Sequence, residues 1–335
     1  MMFRRRSGWG WFSSWLAAEK RANRLPLLVS LICLTLCIIL SKGSAKQASA
    51  GVPAPTVDKA CPGLSSGPLT QARLVRLPDG LVLRAPSTQI NQREISDEIG
   101  KAPQRLRAQL RQNAFFVLEQ LATRRLLLGE ARRWAAAHNP SVKAGDEDSL
   151  IREYLQTAAE RASVSDEEVR AFYSQNKELV GGAPFESVRG DLKRYLLGEK
   201  QQAAMEAHVA GLAERAAAEV DAAWTKQQCR LAMDNPVDKA RRSGKSTLVD
   251  FGATGCRPCD MMTPILAALK KKYAGRLNVL FVHVRDEQIL AARYGVRTIP
   301  VQVFFDKDGK ELFRHEGFFP QADIERRLGT MGLKQ

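Results

Sequence analysis

Residues Val249–Leu266 read VDFGATGCRPCDMMTPIL: a β-prone run, a glycine-flanked turn, and two cysteines three positions apart where a helix begins. Ser246–Phe251 predicts a short strand, and Pro264–Tyr273 the body of the next helix. Cys256 falls at the positive end of that helix, where unpaired amide groups stabilise a thiolate, and Arg257 adds a cation beside it. Both effects lower the thiol pKa, so Cys256 is the candidate nucleophile. Cys259, one turn on and more buried, is placed to attack the mixed disulfide that Cys256 would form.

Outward from this stretch, strands and helices alternate. A helix start is predicted at Asn235-Pro236-Val237, a strand at Leu277–Val284, and a hairpin in which Val301–Phe305 and Glu311–Phe313 flank Asp306-Lys307-Asp308-Gly309. A last helix starts near Pro320. VDFGATGCRPCDMMTPIL together with YGVRTIPVQVFFDKDGKELFRHEGF resembles the thioredoxin family across about residues 245–332.

The resemblance implies an α/β thioredoxin fold and dithiol exchange by a redox-active Cys256–Cys259 disulfide, with no bound cofactor. By position, Asp250 matches the buried carboxylate that shuttles a proton to the resolving cysteine, and Pro300 the cis-proline that packs against the disulfide. Ile299 precedes that proline, as in reducing members, and a cis bond there leaves the residue 299 backbone free to pair with a substrate strand. Arg257 and Pro258, between the cysteines, complete the expected substrate-contacting set. Two departures stand out: Gly252 and Gly255 replace the tryptophans of the family motif, and an apolar residue near Phe281 replaces the lysine that pairs with the buried carboxylate.

Other chemistries fit less well. A zinc site needs four ligands, whereas Cys61 and Cys229 are single and distant and His138, His208, His283 and His315 show no ligand spacing. Covalent haem attachment needs a histidine after Cys259, and Asp260 stands there. Met261 and Met262 read as packing rather than copper ligands, so no metal is expected. Cys61 and Cys229 flank the central region and are either bonded to each other or two free thiols.

With 335 residues, 44% of them hydrophobic, the chain holds more than one core. Its net charge of +15 is concentrated at one end: eight cations and the single acid Glu19 lie within the first 46 residues. Elsewhere cations alternate with acids, which excludes a nucleic-acid surface. Residues 1–24 are basic and aromatic, with Trp9, Trp11 and Trp15 suited to the headgroup level. Leu25–Leu40, LPLLVSLICLTLCIIL, makes 25–41 the expected transmembrane signal anchor, and the positive-inside bias puts the residues beyond it outside the cytoplasm, in the periplasm of a bacterial inner-membrane protein. Ala48-Ser49-Ala50 also offers the small-x-small pattern a signal peptidase accepts. Residues 42–60 read as a flexible linker.

Residues 61–223 are expected to form a small hairpin, Leu74–Leu77 with Leu81–Leu83, and an all-α domain with helices near 105–137, 147–161, 166–176 and 185–223. VSDEEVRAFYSQNKELV and PFESVRGDLKRYLLGEKQQAAMEAHVAGL resemble the helical chaperone part of SurA-type and parvulin-type foldases over about residues 88–222. Val180 is joined to Pro184 through three residues, so the isomerase module of that family is missing. The resemblance implies an arm that cradles extended polypeptide. A linker is expected at 224–244 and the thioredoxin-like domain at 245–335. The whole predicts a membrane-tethered oxidoreductase acting on disulfides of protein substrates and fed by a membrane electron donor of the thiol-reductant type, with apocytochromes as one client class. The alternative is a periplasmic holdase chaperone with an accessory thioredoxin-like domain.

Overall fold

The computed structural model describes residues 54–138 and 146–333. The basic segment 1–24, the expected anchor 25–41 and most of the expected linker lie outside the described residues. Among those described, no helix is long and apolar enough to cross a membrane. Ala54–Gln335 form one compact unit built around two sheets.

The first sheet has the order β1-β4-β2-β3, with β1 Arg73–Val75, β2 Leu81–Ala85, β3 Thr88–Asn91 and β4 Glu219–Asp221. The two strands expected to form a hairpin therefore do not pair with each other. β4 lies between them, parallel to β1 and antiparallel to β2, and the hairpin partner of β2 is β3. β4 is held by backbone pairing on both edges and by the wholly buried Val220, and Glu219 also pairs with Arg73 at 3.1 Å and Arg84 at 2.7 Å, one on each flanking strand. The expected helix 185–223 consequently stops at Ala210, and Gly211 and Ala217, the latter left-handed at φ 44°, turn the chain into β4.

The rest of this part is helical, with helices Gln92–Lys101, Gln104–Gln112, Ala114–His138, Glu147–Ala159, Asp166–Gln175 and Phe185–Ala210. Reciprocal capping boxes open two of them, Asn91 with Glu94 and Ser165 with Glu168. The single helix expected over 105–137 is two, because Asn113 turns its side chain back onto the Gln109 carbonyl and interrupts the ladder. Ala114–His138 is the spine, burying Phe115, Leu118, Ala122 and Leu126. Residues 224–244, expected as a linker, carry helices Ala222–Ala232 and Pro236–Arg241. Trp224 is buried there and stacks on Phe115 at 6.0 Å, which anchors the segment to the helical core. Cys61 and Cys229 are disulfide-bonded and tie the start of the unit to this helix.

The second sheet has the order β6-β5-β7-β8, from β5 Ser246–Gly252, β6 Leu277–His283, β7 Val301–Phe305 and β8 Glu311–Glu316. β6 is parallel to β5; β7 and β8 run antiparallel to their neighbours. Val249, Phe251, Val303 and Phe305 pack with Val237, Leu290 and Tyr294 on one face; Leu248 and Phe304 pack with Met262, Leu266, Leu269 and Ile324 on the other. Period-two alternation puts Asp250 on the face of Leu248, beneath helix Arg257–Lys272.

A buried polar cluster joins the helical part to this sheet. Arg293 is 3% exposed and donates to Asp238, to Asn113 Oδ1 at 3.2 Å and to the Ala232 carbonyl at 2.6 Å. Tyr294 Oη and Arg241 also donate to Asp238, which is 1% exposed. Removing one partner of such a pair leaves an uncompensated buried charge. Arg293→Met should therefore lower the unfolding free energy by roughly 3 kcal/mol, read as a lower urea midpoint, and an unchanged midpoint would contradict the role given to this cluster.

Candidate active site

β5 ends at Gly252, and Ala253-Thr254-Gly255 carries the chain off the sheet, with Gly255 at φ +77°. A side chain would be strained at Gly255, so glycine is what the turn requires. Cys256 then occupies the N-cap of helix Arg257–Lys272, with Pro258 in its first turn. Cys256 is half-buried, Cys259 only 2% exposed, and the two are disulfide-bonded. The more accessible cysteine thus stands at the start of the helix, where the macrodipole is positive, and the protected one lies a turn behind it. Arg257 is exposed and Pro258 half-buried.

The Ile299–Pro300 bond is cis. Val301 pairs with Phe251, so Pro300 leaves the sheet at the end where Gly252 leads into the cysteine loop. Thr298 Oγ1 donates to Glu316 Oε2 at 2.8 Å, and the Gly317 amide donates to the Pro300 carbonyl at 2.8 Å, bracing this segment against β8. Sequence-distant Cys256, Cys259, Ile299 and Pro300 are in this way gathered at one end of the sheet.

Asp250 is wholly buried, and desolvation pushes its carboxyl up to about 6 against the opposing effect of a hydrogen bond from Gln302. Gln302 Nε2 donates to Oδ1 at 2.7 Å, whereas Oδ2 has no hydrogen-bond partner. On the other side Asp250 pairs in register with Phe281, whose ring is 48% exposed. The apolar residue expected near this position is therefore Phe281 itself.

Two neighbours were not singled out from the sequence. Gln302 was legible as a lone polar residue within the apolar run Val301–Phe305, two positions past the proline. His283 ends β6 opposite Gly252 and accepts from the Thr254 amide at 3.2 Å through Nε2, pinning the turn that leads to Cys256. Asp286 Oδ2 lies 2.7 Å from the other ring nitrogen, close enough to pair with a protonated ring though off the hydrogen-bond line. Among the described residues, no three His, Cys, Asp or Glu side chains are gathered to hold a metal ion.

A family model for a thioredoxin-like domain matches residues 233–332. A thioredoxin of Staphylococcus epidermidis is 37% identical over 95 residues, 28% of this chain and 89% of the relative. One of Staphylococcus aureus is 39% identical over 81 residues, 24% of this chain and 77% of that protein. Among solved structures, a chloroplastic thioredoxin z is 28% identical and covers 28% of this chain and 85% of its own, with a TM-score of 0.27. The SurA-type resemblance of residues 88–222 has no counterpart among these matches.

The position of Asp250 makes stability depend on pH. The folded chain keeps this proton up to about pH 6, and the unfolded chain releases it near 3.8, so stability falls as pH rises between the two. Asp250→Asn should exceed the parent in stability at neutral pH by on the order of 2–3 kcal/mol, with the gap closing below about pH 4. Denaturant unfolding of parent and variant across that range checks it; a less stable variant, or a gap between the two that does not change with pH, would contradict it.

Proposed function

The chain belongs to the thioredoxin family and is, in general terms, a thiol–disulfide oxidoreductase, and we propose that it reduces protein disulfides outside the cytoplasm while tethered to the membrane. The observation that carries this is the placement of Cys256 at a helix start, half-buried, with Cys259 sealed one turn behind. The Cys256 thiolate attacks a substrate disulfide, forming one S–S bond to the substrate and releasing the other half as a thiolate. Cys259 then loses its proton to Asp250 and attacks Cys256 Sγ, so the substrate leaves reduced and the Cys256–Cys259 bond closes. Two electrons have passed to the substrate, and a dithiol donor restores the pair. Ile299, Pro300, Arg257 and Pro258 surround the reacting sulfurs and contact the substrate.

The direction of flow follows from charge. A strong oxidant stabilises its reduced, thiolate-bearing form. Here the Asp250 carboxylate lies on the Cys259 side of the pair and disfavours a second thiolate, which supports a reducing role together with isoleucine at 299.

Residues 25–41 supply the anchor, and soluble cytoplasmic reductants would not reach a periplasmic site, so the donor is a membrane protein of the thiol-reductant type. The helical region serves as an arm for extended clients. Its helix Phe185–Ala210 ion-pairs through Glu206 with Arg297, three residues before Pro300, which sets the arm beside the substrate segment. The apolar cluster of Val164, Val169 and Leu192 at the arm is small, and Tyr195 next to it is 42% exposed, which favours contact with polypeptide. Apocytochromes, which need reduced thiol pairs before haem attachment, are one client class. The same exposed Tyr195 is what favours the second reading, a holdase; suppression of aggregation that survives Cys256→Ser would support it.

With insulin as substrate and dithiothreitol as reductant, the full chain should accelerate disulfide reduction, and Cys256→Ser should return the rate to background. Glu206→Lys should raise KM for insulin by roughly two- to fivefold, the range an exposed ion pair can supply. Unaltered turnover in Cys256→Ser would remove the reductase reading, and an unaltered KM in Glu206→Lys the part given to the arm.

A further inference from the structure

The two oxygens of Asp250 are not equivalent. Oδ1 is held by Gln302, a wholly buried side chain whose own Oε1 has no partner, while Oδ2 is left without one. An unpaired carboxylate oxygen in a protein core costs free energy, so what faces it matters. Gly252 shows where it lies. A Cβ added at Gly252 would stand 2.9 Å from Phe281 Cε2, 3.3 Å from Cys259 Cβ and 3.5 Å from Asp250 Oδ2. The Phe281 ring, the resolving cysteine and the free oxygen thus converge on one spot.

Register explains the convergence. Asp250 pairs with Phe281 on β6 and with Gln302 on β7, so the three residues stand side by side across one face of the sheet, the face beneath the cysteine helix. The Phe281 ring lies partly in solvent and over Gly252. That position shields Oδ2 from water on the side where the missing 252 side chain leaves space.

We propose that Gln302 and Phe281 are positioning residues for the resolving thiol: Gln302 fixes Oδ1 so that Oδ2 remains for the Cys259 Sγ–H, and Phe281 keeps water away from that oxygen. The inference rests on the reductase reading above. In the mixed disulfide, the Cys259 thiol proton passes to Oδ2 and the sulfur electron pair forms the bond to Cys256 Sγ. The bond from Cys256 to the substrate breaks, the substrate sulfur leaves with its electron pair, and the carboxylic acid gives the proton back to that thiolate. Atoms and charge balance within the step, and an external dithiol later reduces the pair. A carboxyl raised to about 6 can both take and return a proton near neutral pH.

The two substitutions act with opposite sign. Gln302→Leu removes the donor that stabilises the charged form, so Asp250 should hold its proton to higher pH. Phe281→Ala admits water, which solvates the charge, so Asp250 should release it at lower pH. Carbon-13 NMR of the full chain labelled at aspartate carboxyls, kept reduced with dithiothreitol and assigned with Asp250→Asn, reads the midpoint directly. The expected result is an upward shift of roughly one pH unit in Gln302→Leu and a downward shift of about the same size in Phe281→Ala, with the acidic limb of insulin turnover moving alongside. Unmoved midpoints, or shifts of one sign in both variants, would overturn the proposal. Opposite shifts in a chain that does not reduce insulin would uphold the arrangement around Asp250 and remove only the reductase reading.

Discussion

Strand β5 is hydrogen-bonded on both edges and packed on both faces, and the chemistry of the molecule depends on its having no freedom to slip. A one-residue change of register would carry Asp250 into the apolar layer of Val249 and Phe251 and expel those side chains to the other face. Held as it is, the strand delivers an ionisable carboxyl under the cysteine helix and releases the chain at Gly252 toward Cys256. The cysteines stand at the carboxyl end of β5, with parallel β6 on one side and antiparallel β7 on the other, where open α/β sheets leave room for a ligand.

The helical part grips one segment of the redox domain three times. Gln109 bonds the Asp286 carbonyl at 2.6 Å and the Ile289 amide at 3.2 Å, Asn113 and Ala232 hold Arg293, and Glu206 holds Arg297. That segment ends in Ile299–Pro300. Contacts that fix the helical region therefore also fix the chain leading into the cis-proline. The Arg293–Asp238 contact is buried, and its charges need their partners; the Glu206–Arg297 pair is exposed and cheap to break.

The C-terminal domain was legible because its signals are local: cysteine spacing at a helix start, short apolar strands, and a proline before β7. Gln302 and His283 escaped because each matters only through a register partner, Asp250 for the one and Gly252 for the other, and register is set by the fold. The first sheet was misread for the same reason. β4 has three residues and pairs with strands about 140 positions away, so neither periodicity nor turn chemistry announces it. Helix Ala222–Ala232 passed for a linker because its anchors, Trp224 against Phe115 and Cys229 bonded to Cys61, are tertiary. The Asn113 break was hidden inside a continuous apolar period that spans both helices.

The central claim is that Cys256 and Cys259 cycle as a reductant under the influence of Asp250. Its most direct test is the equilibrium reduction potential of that pair in the full chain, poised in dithiol buffers and read by thiol labelling of the peptide that carries both cysteines. The account predicts a value close to the roughly −270 mV of thioredoxin. A value toward about −120 mV, that of a strong disulfide-forming oxidant, would contradict it.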